Sequence, residues 1–176
     1  MPASDRYLPK HRAIKESATT HWKRVAAVGT AVPAALGTAF SVAGPAAATS
    51  QRQENINEAL AVARDQKGDA YEYGADGPER FDCSGLVQFS YGKAGIQMPR
   101  TSDAQADRAR RIGKPSLRKG DLMFFYDDGG VYHVGVFGGW NGEQRRRVLS
   151  APSTGETVHS ELVWTNDWFA GTMRGA

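Results

Sequence analysis

The chain has 176 residues, with 22 lysines and arginines against 19 aspartates and glutamates, a formal net charge of +3 and 40% hydrophobic side chains. That composition suits one ordinary globular core and excludes fibrous, low-complexity and internally repeated classes. Residues 1–48 hold six basic and two acidic side chains, so residues 49–176 carry a net −1 and offer no sustained basic surface for nucleic acid.

The first segment to read is the leader. A basic stretch ending in Lys23-Arg24 precedes "VAAVGTAVPAALGTAF" at 25–40, which is small, apolar and uncharged, and Ala46-Ala47-Ala48 then supplies a small-x-small pattern. This is the order of a secretory signal peptide, predicted for 1–48, with the functional domain at 49–176. The apolar run is shorter than the roughly 20 residues that span a bilayer. No stable membrane insertion is therefore expected after processing; an uncleaved anchor or a tail is the alternative.

Beyond the leader, Ile56, Leu60 and Ala63 recur at helical spacing, and Gly68 supplies a stop. Residues 70–82, "AYEYGADGPERFD", read as a loop punctuated by glycine and proline. Leu86, Val87 and Phe89 predict a buried helix that starts near Cys83 and ends around Gly92 to Gly95. Ser102, three residues before Gln105, predicts a capping box on a short helix. From 120 onward strands are expected at "GDLMFFY" and "VYHVGVFGGW", with turns at Asp128-Gly129-Gly130 and Asn141-Gly142. "RRRVLSAPSTGETVHSELVW" supplies one or two more strands around a turn from Pro152 to Gly155. Helices first and strands after predict an α+β domain whose N-terminal helices pack on a central antiparallel sheet.

The chemistry centres on Cys83, the only cysteine. In an exported chain a lone cysteine is a bridge to another molecule, a reactive thiol or a buried filler. Its place at a helix start, where unpaired N–H groups and the helix dipole favour a thiolate, points to a nucleophile. The same N–H groups suit a developing oxyanion. Gly85 permits close approach of a ligand or another backbone. A thiol nucleophile needs a base. Outside the leader the histidines are His133, in a strand beside Gly135, and His159, past the next turn.

Three blocks, "RFDCSGLVQFSYGKAGIQMPRTSDAQ", "LRKGDLMFFYDDGGVYHVGVFGG" and "VLSAPSTGETV", occur in that order, with cysteine and histidine 50 residues apart. Together they resemble the NlpC-type cell-wall endopeptidases, papain-like cysteine peptidases acting on peptidoglycan stem peptides. The resemblance implies a papain-like core, Cys83 as nucleophile and His133 as base and then acid. It implies that Asp82 and Ser84 help bind the stem peptide, that Tyr71 lies near the oxyanion, and that Arg100, Thr101 and Ser102 support the groove. Arg100 to Ser102 read equally well as a helix cap.

The third group is where this chain departs from that family. A polar residue there bonds the imidazole's other nitrogen and fixes its tautomer; the family's "MIHAP" is "VLSAP" here, which puts Ser150 at the position. A hydroxyl accepts that bond without the charge that stabilises an imidazolium, and His159 is the alternative orienter. Trp140, beside a turn, is the tryptophan best placed for substrate contact, with Trp164 and Trp168 as core or groove walls. The basic run Arg145 to Arg147 reads as a hairpin edge or a contact for anionic wall polymer.

No metal-ligand spacing is present and no cofactor is expected. The resemblance further implies a secreted, wall-associated protein acting as a monomer on peptidoglycan stem peptides, with the bond between γ-linked D-glutamate and the diamino acid as the expected target. An amidase or acyltransferase, a wall-binding module weakened at Ser150, and an effector against rival cells are the competing readings.

Overall fold

The computed structural model describes residues 45–175. The predicted signal peptide lies outside the described residues, except that 45–48 form the first turn of the opening helix. That helix, α1, spans Pro45–Asp65. Its residues Ile56, Ala59, Leu60 and Ala63 are buried, a single stripe at the i, i+3, i+4, i+7 positions.

The segment read as a loop contains a two-residue parallel pairing of β1, Ala70–Tyr71, with β2, Arg80–Phe81. Helix α2, Cys83–Lys93, follows at once and buries Leu86, Val87, Ser90 and Tyr91. Helix α3 spans Ser102–Arg108. Its cap is Thr101, whose hydroxyl accepts from the Ala104 N–H, and not Ser102 as the sequence pattern suggests. Ser102 instead donates its hydroxyl to the Val131 carbonyl. Gln105, fully buried, donates to the Ser84 and Pro99 carbonyls rather than closing a capping box.

The remaining strands are β3 Arg110–Ile112, β4 Leu122–Asp127, β5 Gly130–Trp140, β6 Arg146–Ser150, β7 His159–Leu162 and β8 Trp168–Thr172. They form one six-stranded sheet in the order β3-β8-β4-β5-β6-β7, antiparallel throughout. The short β3 and β8 were not foreseen from the sequence. Alternation along the central strands divides the core in two. Leu122, Phe124, Val134, Val136 and Leu149 meet the helices, while Met123, Phe125, Phe137, Val148 and Trp168 form a second cluster on the other face. Phe124 and Phe125 are both completely buried, so truncating either to alanine costs about 3–5 kcal/mol.

A buried ion pair ties the ends of the domain together. The Asp121 carboxylate accepts from the Arg118 N–H at 2.8 Å, the Thr172 hydroxyl at 2.6 Å and Arg174 Nη2 at 2.9 Å. Arg174 Nη1 reaches Gln53 on α1 at 2.9 Å. Satisfying the charge from three sides is what makes its burial tolerable.

Candidate active site

Asp82 builds the start of α2. One carboxylate oxygen accepts from the Gly85 N–H at 2.7 Å, the Ser84 hydroxyl at 3.2 Å and Arg100 Nη1 at 2.9 Å. The other accepts from the Gly74 N–H at 2.9 Å and Arg100 Nη2 at 2.6 Å. Burial would raise this carboxyl, but the Arg100 guanidinium and the two backbone N–H groups outweigh it and hold Asp82 below the ordinary aspartate value. Arg100 also donates to the Ser84 hydroxyl at 2.9 Å and the Ala75 carbonyl at 3.3 Å. The carboxylate is thus filled by internal donors, and it clamps loop, helix and Arg100 around the next residue.

That residue is Cys83, half-buried and unpaired to any other cysteine. The backbone N–H groups of Val134, Ser84 and Cys83 itself act on its sulfur in the direction that favours the thiolate. Val134 is the strand residue next to His133. The sequence reading of a favoured thiolate is corrected here. Burial pushes the thiol up, Asp82 adds to the rise, and the backbone N–H groups offset it only in part. Gly85 does give close approach, to another backbone: a Cβ there would lie 2.1 Å from the Ala75 carbonyl oxygen.

Tyr71, Tyr73, Asp82, Ser84, Arg100 and Tyr132 join Cys83 around a cleft of 590 Å³. The Tyr71 hydroxyl is raised by burial and by the nearby Cys83 and Asp82. A neighbouring hollow of 240 Å³ shares Tyr132 and is walled by His133, Pro152, Glu161 and Trp164. His133 is 5% exposed. Its ring lies 5.6 Å from Phe125 and 5.7 Å from Trp164, centroid to centroid, and Trp164 stacks on Phe125 at 4.3 Å. This apolar setting lowers the imidazole to about 4, through burial. Cysteine and histidine are therefore both neutral at rest.

Strand register explains where Ser150 sits. Val136 pairs with Leu149, so Ser150 falls beside Gly135, on the face that also carries His133 two residues away. A Cβ on Gly135 would lie 3.2 Å from the Ser150 Cβ and 2.3 Å from a Val148 methyl. Gly135 therefore makes room for Val148. Ser150 Oγ and His133 Nε2 are both buried and both lack a hydrogen-bond partner. His159 is the cross-strand partner of Ser150, but its Nδ1–H donates to the Thr157 carbonyl at 2.7 Å.

Trp140 does not join the site. It lies seven residues along β5 from His133, roughly 20 Å at strand rise, and lines neither hollow. Its contacts are the Phe137 ring at 5.6 Å and the Arg146 guanidinium at 4.6 Å. Trp164 occupies the place expected of it. Tyr132 and Glu161 were missed, since only the strand register carries them to the wall. Glu161 is raised by burial, with His159 opposing and Glu156 adding to the rise. Among the described residues no group of three metal-ligating side chains is present, and no helix is long and apolar enough to cross a membrane.

Comparisons with known proteins identify the family and the fold. Residues 68–174 match the model of the NlpC/P60 family. Probable endopeptidase p60 of Listeria monocytogenes is 44% identical over 84 residues, which cover 48% of this chain and 17% of that protein. The bifunctional muramidase/DL-endopeptidase CwlT of Bacillus subtilis is 43% identical over 77 residues, 42% of this chain and 23% of that one. This chain thus spans less than a quarter of either relative. The solved structure of the peptidoglycan hydrolase RipB of Mycobacterium tuberculosis superposes with a TM-score of 0.60 at 25% identity, over 76% of this chain and 73% of that one. The family model covers well over half of the chain, and the chain belongs to the NlpC/P60 family.

Proposed function

We propose that this protein is an exported cysteine endopeptidase that hydrolyses an amide bond in peptidoglycan stem peptides, between γ-linked D-glutamate and the diamino acid. Residues 1–48 act as its secretion signal, and it works as a monomer at the cell wall. The observation that carries the reading is Cys83 at the first turn of α2 in a cleft lined by Tyr71, Ser84 and Arg100, with His133 on the wall of the adjoining hollow that shares Tyr132. The names of its relatives, an endopeptidase and a peptidoglycan hydrolase among them, support the substrate class.

With both groups neutral at rest, His133 takes the thiol proton as sulfur attacks the amide carbonyl. The oxyanion accepts from N–H groups at the helix start and from the Tyr71 hydroxyl. The imidazolium then gives its proton to the departing amine, leaving a thioester. Water, deprotonated by His133, attacks that thioester, releases the carboxylate and returns the thiol. Ser84 and the clamp formed by Asp82 and Arg100 position the acyl side of the peptide. Ser150 is the orienting group for His133.

One observation favours a second reading, a wall-binding module with weak catalysis: His133 Nε2 and Ser150 Oγ are both without partners. Incubating the protein with purified peptidoglycan and weighing the soluble fragments by mass spectrometry, beside Cys83→Ala, decides. The peptidase releases fragments ending at the cut bond and the variant releases none. Equal background release from both leaves the binding module.

A further inference from the structure

The basic run Arg145 to Arg147 is not absorbed by the active site. Two of its arginines face a separate pocket of 260 Å³, which shares no lining residue with the two hollows around Cys83 and His133. Lys114, Arg145 and Arg146 line it with Gln144, Asn166 and Trp168, and no carboxylate does. The ion pairs among the described residues are Arg80–Glu72, Arg100–Asp82 and Arg174–Asp121. None involves these three cations. The nearby acids in sequence are Glu143 and Asp167, and Asp167 is engaged with the Thr165 hydroxyl at 3.2 Å.

The pocket is held in shape by its own contacts. Lys114 Nζ donates to the Asn166 carbonyl at 2.9 Å and lies 4.3 Å from the Trp168 ring centroid. The Arg146 guanidinium lies between Trp140 and Trp168, at 4.6 and 5.4 Å from their centroids, and its Nε is buried without a partner. Gln144 is the one non-glycine residue of the described chain at positive φ, 59°. That left-handed turn sets its amide at the pocket's rim. Lys114 and Arg146 are held in place, Arg145 is exposed at the rim, and none of the three forms an ion pair, so an anion in the pocket would meet positive charge from all three.

We propose that this pocket binds an oxyanion carried on a hydroxylated unit, the repeating unit of an anionic polyol or saccharide polymer of the cell envelope. Arg145 and Lys114 pair with the charge; the amides of Gln144 and Asn166 take the carrier's hydroxyls. The volume lies below the roughly 300–1,000 Å³ of sites that enclose a drug-sized ligand, which suits one charged unit of a longer chain. Such a site docks the enzyme on the wall independently of its stem-peptide cleft.

The test titrates the isotopically labelled protein at low salt with glycerol 1-phosphate and with glucuronate, using glycerol and glucose at matched ionic strength as neutral controls. Saturable movement of the Trp168 indole N–H resonance by either anion supports the site; the phosphate and carboxylate arms name the source. Lys114→Gln combined with Arg145→Gln, both at solvent-reaching side chains, is expected to weaken that binding at least about tenfold. The same variant should sediment about tenfold less with insoluble walls, as should the wild type with walls stripped of anionic polymer, while cleavage of a soluble stem peptide is unchanged. Equal response to anions and neutral controls, or undiminished binding by the double variant, overturns the proposal. Should the wild type bind the anion yet cut no stem peptide, the function proposed above fails and this site stands.

Discussion

Asp82 and Arg100 meet fork to fork, with Nη1 2.9 Å from one carboxylate oxygen and Nη2 2.6 Å from the other. Eighteen residues apart in the chain, they fasten the segment before α3 to the first turn of α2. Arg100→Ala leaves Asp82, 7% exposed, short of its charged partner, and is expected to cost about 2–3 kcal/mol in urea unfolding. The depressed Asp82 carboxyl contributes stability that is present above the unfolded-state value and lost as pH falls through the lower folded one. Wild type should therefore lose stability below about pH 4, and Arg100→Ala should lose less over the same range. Identical acid curves for the two proteins would refute the pairing as the cause.

His133 carries the opposite sign of acid dependence from an ion-paired histidine. Its folded value is lowered to about 4 by burial, so between the unfolded value near 6.5 and pH 4 the unfolded chain binds a proton that the native state refuses. Stability therefore falls as pH drops through that window, by up to about 3 kcal/mol. His133→Gln should flatten this stretch of the curve. The raised Cys83 thiol predicts slow alkylation by iodoacetamide at pH 7 that accelerates above pH 9. Fast alkylation at pH 6 would mean a preformed thiolate–imidazolium pair and overturn the neutral resting state.

Ser150, proposed above as the orienting group for His133, makes no hydrogen bond through its Oγ, and a stronger acceptor at this position would hold an imidazolium better. Ser150→His is expected to raise kcat at neutral pH with KM little changed, and Ser150→Ala to stay within about 1 kcal/mol of wild-type stability, because the hydroxyl it removes has no partner. His159→Ala should change kcat little, since its Nδ1 is committed to the Thr157 carbonyl. A large loss in His159→Ala with none in the Ser150 variants would transfer the orienting role to His159.

Two glycines of one helix should respond oppositely to the same change. A Cβ on Gly85 meets the Ala75 carbonyl oxygen at 2.1 Å, so Gly85→Ala must displace the loop that carries Tyr71 and Tyr73, lowering both stability and kcat/KM. A Cβ on Gly92 meets nothing within 4 Å, and Gly92→Ala should stabilise by about 0.5–1 kcal/mol with activity intact. Thermal unfolding of the pair, with stem-peptide cleavage alongside, checks both halves.

The helices and central strands were legible because their patterns are local: the Ile56–Leu60–Ala63 stripe, the apolar run after Cys83, and alternation through "YHVGVF". The three-residue β3, "RRI", is too short to show a period, and β8 is recognised only once Phe124 and Phe125 need a neighbour. Cys83 and His133 could be named from residue chemistry, but their environment could not. Whether burial or the helix start governs the thiol depends on what packs over it, and packing decided for burial. Choosing among the tryptophans failed for a related reason. Trp140 and Trp164 both flank turns, and only the path of the chain after β7 brings Trp164 over the imidazole.

That path has a further meaning. Residues 163–168 send Trp164 to the wall of the His133 hollow and Val163, Thr165, Asn166 and Trp168 to the basic pocket. One connecting segment thus furnishes two rooms from neighbouring positions. Deleting a single residue before Thr165 would put a threonine against the imidazole, and adding one there would put Val163 in the place of Trp164. Its length is consequently under tighter constraint than its composition. Diversity introduced by substitution can tune either room.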